Sequence, residues 1–199
     1  VSTRASFLAT ESRELPHITP AQGLSKGDLS LALPFAGQRD FPKYPALHAV
    51  GPLTRLTAIP LILELDPYAS WMDWAKTALP GFQVYAYDWR QDNVENARLL
   101  IREITALKLR LKRPDLKFNV VAHSMGGIIT RYAAMYGDAD LPTANRTPKP
   151  TWAGAKHFNK VALLGTPSEG SVLALRSLVD GFAIGGININ LPFVQNLTK

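Results

Sequence analysis

Residues 120–127 read Val-Val-Ala-His-Ser-Met-Gly-Gly, and no other stretch restricts the fold as much. The segment from Leu116 to Val121, ending on two apolar residues, suits a strand, and the run from Gly127 through Ile128-Ile-Thr-Arg-Tyr-Ala-Ala-Met-Tyr136 suits a helix. A strand that passes into a helix through one serine needs a tight, strained turn. Side chains two residues away on either side would crowd that bend, and Ala122 and Gly126 leave the room it requires. Ala122 stands where the G-x-S-x-G pattern has its first glycine, a departure of one methyl group. The turn would lift the Ser124 hydroxyl over the carboxyl edge of the sheet. The free amides at the start of the helix would face any negative charge that develops there. A serine so placed suits attack on an acyl carbon. The same pattern also occurs where a serine merely caps a helix.

The chain has 199 residues, enough for one domain with a real core. Its hydrophobic content of 46% and charged content of 19% are those of a globular protein rather than a disordered one. There is no cysteine, which excludes disulfides and thiolate metal or redox sites. The net charge of +6 invites a nucleic-acid reading. The basic residues are scattered, however, and the densest run, Lys108 to Arg113, falls at the end of a predicted helix. Cations belong there, so that run reads as a solvated helix end and no nucleic-acid partner is expected. A weak attraction to anionic lipid surfaces stays open. No stretch is apolar for long enough to span a bilayer. Val1 is not Met, so the localisation is not legible from this end. Asn145 and Asn196 stand in Asn-x-Thr sequons, which matter only in a glycosylating host.

Residues 1–56 carry many prolines and glycines and read as an irregular, cap-like excursion. Leu56 to Leu65 reads as one extended segment, with Pro60 marking an edge or bulge. Trp71 to Leu79 predicts a short helix, and Phe82 to Tyr87 an alternating strand. Asp92 predicts a helix cap with Glu95 as its capping-box partner. Ala97, Leu100, Ile101, Ile104, Leu107 and Leu111 then keep helical spacing until Pro114. After the serine turn, a helix ending near Gly137 and a polar loop over 138–156 lead to Phe158–Leu164, read as another buried strand. A helix follows through about Val179, and the tail from Gly181 shows no clear period. Strands alternating with helices predict a three-layer α/β fold with a mostly parallel sheet. Reactive groups in such sheets gather beyond the carboxyl ends of the strands.

The serine turn suggests the α/β-hydrolase fold, and two further motifs narrow it. Tyr87-Asp88-Trp89-Arg90 ends the strand before the turn, and Leu164-Gly165-Thr166-Pro167 ends the strand after it. With Ala122-His123-Ser124-Met125-Gly126-Gly127 between them, in that order, the chain resembles the lecithin:cholesterol acyltransferase-like family over roughly residues 57–180. The resemblance implies an α/β-hydrolase core that acts on lipid esters, passing an acyl group to water or an alcohol through an acyl-enzyme. It implies Ser124 as nucleophile and the Met125 amide as one oxyanion donor, and it makes part of 171–199 a lid. The family's earlier strand with its glycine-containing oxyanion loop has no counterpart in residues 1–56, and the later aspartate and histidine have none either. The expectation is therefore a central piece of a larger enzyme: residues 57–199 as core, the sheet incomplete at both ends, the triad acid and histidine outside this chain.

The remaining candidates follow from their places. His123 adjoins Ser124 and points away from the reacting hydroxyl, which suits support rather than base catalysis. His157 precedes a strand and so lies at the wrong edge, while His17 and His48 read as surface histidines. Glu169 follows a strand end and is the one local acid candidate, a weak one, because a carboxylate there also suits a helix start. Asp138, Asp140 and Asp180 follow helices and face the same objection as His157. Asp88 and Arg90 sit at a correct strand end, as a site floor or, more simply, as a loop clamp or ion pair. Trp89 reads as core or pocket wall, and Phe193 as core or lipid contact. No His/Asp/Glu spacing suggests a metal, and no cofactor is expected. A lipid or ester is the expected substrate, with transient lipid-surface contact; the oligomeric state is not legible. Two rivals stay open: a non-catalytic binding module on this fold, and a small-ester esterase or peptidase.

Overall fold

The computed structural model describes residues 5–12, 56–59, 63–65, 68–89, 91–143, 146–180, 182–184 and 187–189. Arg90, His17, His48, Phe193, Asn145 and Asn196 lie outside the described residues. By its internal contacts the chain divides into two compact units, residues 1–14 with 49–168, and residues 15–48 with 169–199.

The first unit is built on a four-stranded parallel sheet. Its strands are β1 (Ala5–Ser12), β4 (Gln83–Asp88), β5 (Phe118–His123) and β6 (Phe158–Leu164), in the order β4-β1-β5-β6. β1 sits between β4 and β5, with Phe7 opposite Gln83 on one side and Val120 on the other. The sequence places these residues in an irregular excursion, and that expectation fails for Ala5–Ser12. The prolines that break up the region begin only at Pro16, after the strand has ended. The single segment expected over Leu56–Leu65 is instead an antiparallel pair, β2 (Leu56–Ile59) and β3 (Leu63–Leu65), in a sheet of its own.

Among the described residues this unit has three α-helices: α1 (Ala69–Ala78), α2 (Asn93–Arg110) and α3 (Met125–Tyr136). α2 starts where Asp92 accepts a hydrogen bond from the Val94 amide at 2.7 Å, a cap worth about 1 kcal/mol. Glu95 does not complete the expected capping box; its carboxylate takes Arg98 at 2.7 Å. The apolar stripe of α2 buries Ala97, Leu100, Ile101, Ile104 and Leu107, while Leu111, past the last turn, stays half exposed. Leu100 and Ile104 are fully buried, and each contributes roughly 1.5–3 kcal/mol by leaving water. α2 and α3 pack on each other, and α3 also lies against β1 and β5. Together they enclose Tyr85, Phe118, Val120 and Ile129.

Two expectations about burial are corrected here. Lys108 is not on a solvated helix end: it is 7% exposed, and its ammonium donates to the Pro114 carbonyl at 3.2 Å. β6 is not a buried strand; only Phe158 is buried, and Val161, Leu163 and Leu164 are exposed. β6 ends the strand order among the described residues, so it has a sheet neighbour on one side only.

α3 ends at Gly137, whose φ of 64° suits a residue without a side chain. The loop that follows returns to this helix end: Thr151 and Trp152 both donate their amides to the Met135 carbonyl. A side chain on Gly154 would overlap the Ala133 carbonyl, so only glycine lets the loop lie this close. A short 3-10 turn, Ala155–His157, leads into β6.

In the second unit, α4 (Val172–Asp180) begins where Ser171 accepts from the Ala174 amide at 3.1 Å. It is followed by a small antiparallel pair, β7 (Phe182–Ile184) and β8 (Ile187–Ile189). Val172, Leu173 and Leu175 of α4 are exposed.

Candidate functional site

β5 runs to His123 and α3 begins at Met125, so Ser124 alone makes the turn between them. Its φ of 53° and ψ of −128° lie in a region that side chains rarely adopt. Holding serine there costs about 1–3 kcal/mol, which the surroundings must offset. The Ser124 amide donates to the Leu164 carbonyl at 2.9 Å, and its own carbonyl accepts from the Gly127 amide at 3.0 Å. Ala122 and Gly126 are buried on either side, as the tight bend requires. Ser124 itself is half exposed at the carboxyl end of its strand. Met125 is the first residue of α3, so its amide has no carbonyl to bond within the helix.

Gly127 is buried in the first turn of α3. A Cβ there would run into the Thr166 side chain, so glycine lets the loop after β6 lie on the first turn of α3. The Thr166 hydroxyl is buried in this contact and has no hydrogen-bond partner. Leu164-Gly165-Thr166 thus touches the serine turn twice, through the Leu164 carbonyl and through Thr166. The sequence flagged this motif only through its resemblance, and gave no physical signal of the contact.

His123 is exposed, and its Nδ1 lies 2.6 Å from the Tyr68 hydroxyl, with the two rings edge to face at 5.6 Å. Tyr68 immediately precedes α1, and sequence reasoning passed over it: nothing local distinguishes it from any tyrosine at a helix start.

Asp88 ends β4, and its carbonyl accepts from the Asn96 side chain at 2.9 Å and from the Gln91 amide at 3.1 Å. Asn96 is fully buried, and its own carbonyl accepts from the Tyr85 hydroxyl at 2.6 Å. Burial, reinforced by Glu103, pushes the Tyr85 phenol up, so it stays a neutral donor. This cluster fastens the turn after β4 to the first turn of α2 through the backbone carbonyl of Asp88. Trp89 packs on the core edge.

The other candidates fall elsewhere. His157 lies in the turn that enters β6, at the amino end of that strand; it is 8% exposed, and its Nδ1 is buried without a partner. Burial, with Lys108 and Lys156 nearby, holds it down at about 4. Asp138 and Asp140 pair with Arg98 and Arg102 of α2. Glu169 is exposed in the second unit, three residues before α4. Asp180 is the last residue of α4. Among the described residues no three His, Asp or Glu side chains are grouped to hold a metal ion, and no helix is long and apolar enough to cross a membrane.

Neither the curated proteins nor the solved structures include a match to this chain. The family model described as lecithin:cholesterol acyltransferase matches residues 80–199, which takes in the β4 end, the serine turn and the loop after β6. With more than half of its length matched, the chain belongs to the lecithin:cholesterol acyltransferase family, whose members have the α/β-hydrolase fold and act on lipid acyl groups.

Proposed function

We propose that the protein is a serine-dependent lipid acyl hydrolase or acyltransferase with Ser124 as its nucleophile. One observation carries this reading: Ser124 is a non-glycine residue held at φ 53° on the crest between a parallel strand and a helix. A serine that only caps a helix needs no such backbone, so the strain argues for a role of the hydroxyl itself.

The chemistry then runs in two stages. The Ser124 oxygen attacks the ester carbonyl as a base removes its proton, and a tetrahedral oxyanion forms. The Met125 amide donates to that oxyanion, aided by the amino end of α3. Collapse breaks the bond to the alcohol, which leaves with a proton, and an acyl group remains on Ser124. Water or a second alcohol attacks this acyl-enzyme and restores the serine. The base and its carboxylate are not assigned to any described residue.

The test is a fluorophosphonate probe on the whole protein, read by mass spectrometry. The probe should modify Ser124, and Ser124→Ala should remove both the label and esterase activity. Activity that persists in Ser124→Ala would refute the mechanism. A second reading, a binding module that keeps the turn without catalysis, is favoured by the place of the described histidines. His157 is at the amino end of its strand, and His123 is bound to Tyr68. That reading predicts lipid binding with no labelling of Ser124.

A further inference from the structure

The Tyr68 hydroxyl and His123 Nδ1 are paired at 2.6 Å, and which of the two donates depends on the imidazole tautomer. In the Nε2–H tautomer the phenol donates and Nδ1 accepts. A neutral imidazole that accepts at Nδ1 carries its proton on Nε2. The Nε2 side of the ring faces the end of β6: a Cβ built on Gly165 would lie 3.7 Å from Nε2. Gly165 has a φ of 55° and no side chain to cover that nitrogen. Among the described residues Nε2 has no hydrogen-bond partner, and His123 is exposed. One residue from the proposed nucleophile, then, stands an exposed ring nitrogen on an imidazole whose other nitrogen is held by Tyr68.

We propose that His123 Nε2–H binds an oxygen of the polar part of the substrate, away from the reacting carbonyl, and that Tyr68 is the positioning residue that holds the ring for it. His123 ends β5 with its ring between Tyr68 and Gly165, while Ser124 forms the turn beyond the strand, so the proposal gives the two side chains different parts of the ligand. The oxyanion is served by backbone amides, which leaves the imidazole free for recognition. A single N–H donates equally well to a phosphate oxygen of a headgroup or to a second acyl-ester oxygen. Both are oxygen acceptors within a few bonds of the scissile ester. This inference rests on Ser124 as nucleophile.

The experiment compares wild type with Tyr68→Phe, which removes the hydroxyl and keeps the ring packing. Substrates are phosphatidylcholine and a diacylglycerol of the same acyl chains, with fluorophosphonate labelling of Ser124 as control. Tyr68→Phe should raise KM about five- to tenfold, as expected for one lost hydrogen bond, while kcat falls less than twofold. A rise for phosphatidylcholine alone assigns the contact to phosphate; a rise for both assigns it to an acyl-ester oxygen. An unchanged KM on both substrates overturns the proposal, as does a fall in kcat and labelling with KM unchanged, which would make the pair a support of the turn. Independently, the 15N spectrum of His123 should show the Nε2–H tautomer, and an Nδ1–H signal would overturn the assignment. Failure of wild-type Ser124 to label at all refutes the nucleophile instead.

Discussion

Gly127 and Thr166 approach so closely that no side chain fits between them. Thr166 Oγ1, Cγ2 and Cβ would all lie within 3 Å of a Cβ on Gly127. The approach holds the loop after β6 on the first turn of α3, next to the Ser124–Leu164 hydrogen bond. Gly127→Ala forces the two apart. The overlap costs about 1–3 kcal/mol, more than the gain of up to about 1 kcal/mol in helix propensity. Denaturant unfolding should show the loss, and labelling of Ser124 should slow as the turn shifts. Thr166→Ala removes two of the three clashing atoms, so the double variant should recover part of both. No recovery would mean that Gly127 matters for another reason.

Ser124 offers a second test, because its strain and its chemistry separate. Glycine adopts a positive φ without penalty, so Ser124→Gly should raise stability by about 0.4–1 kcal/mol or more, after its extra unfolded-state entropy is counted. The same change removes the hydroxyl and with it all fluorophosphonate labelling. A more stable but inert protein is the signature of strain kept for function. A Ser124→Gly variant less stable than wild type would show that the serine side chain makes a stabilising contact.

Asn96 carries the turn after β4. Asn96→Ala removes the donor to the Asp88 carbonyl, for a loss of about 1–3 kcal/mol. Asn96→Asp should be worse at neutral pH, because it aims a buried carboxylate at the Asp88 and Gln91 carbonyls, which the amide contacts at 2.9 and 3.4 Å. Chemical denaturation of both variants checks the order; equal losses would mean that the site takes in water.

The parts of this fold that were legible in the sequence are those with a local cause. The serine between Ala122 and Gly126 declared its turn, and the stripe from Ala97 to Leu107 declared α2. Gly137 marked the end of α3. What the sequence hid depends on distant partners. Ala5–Ser12 becomes a sheet strand only by lying between β4 and β5, and nothing within it announces either neighbour. Lys108 reads as a surface cation until the Pro114 carbonyl folds back to receive it. Glu95 has two possible partners in sequence range, and the Arg98 guanidinium wins over the capping-box amide because opposite charges attract more strongly. The contacts that surround the serine, Tyr68 on His123 and Thr166 on Gly127, bring together residues 55 and 39 positions apart in sequence, beyond any spacing rule.

His157 makes stability depend on pH in a set direction. Its folded-state value of about 4 lies below the 6.5 of an ordinary histidine, because burial and the nearby Lys108 and Lys156 disfavour the imidazolium. The unfolded chain therefore takes up a proton near pH 6.5 that the folded chain refuses until about pH 4. The contribution is fully present above pH 6.5 and is lost as pH falls from there towards 4, by at most about 1.4 kcal/mol per unit. His157→Leu removes the titrating group and the orphaned Nδ1 together. Its stability relative to wild type should rise as pH falls from 7 to 4.5, measured by urea unfolding at each pH. Parallel curves for the two proteins across that range would place His157 in contact with water and remove it from the acid sensitivity of the fold.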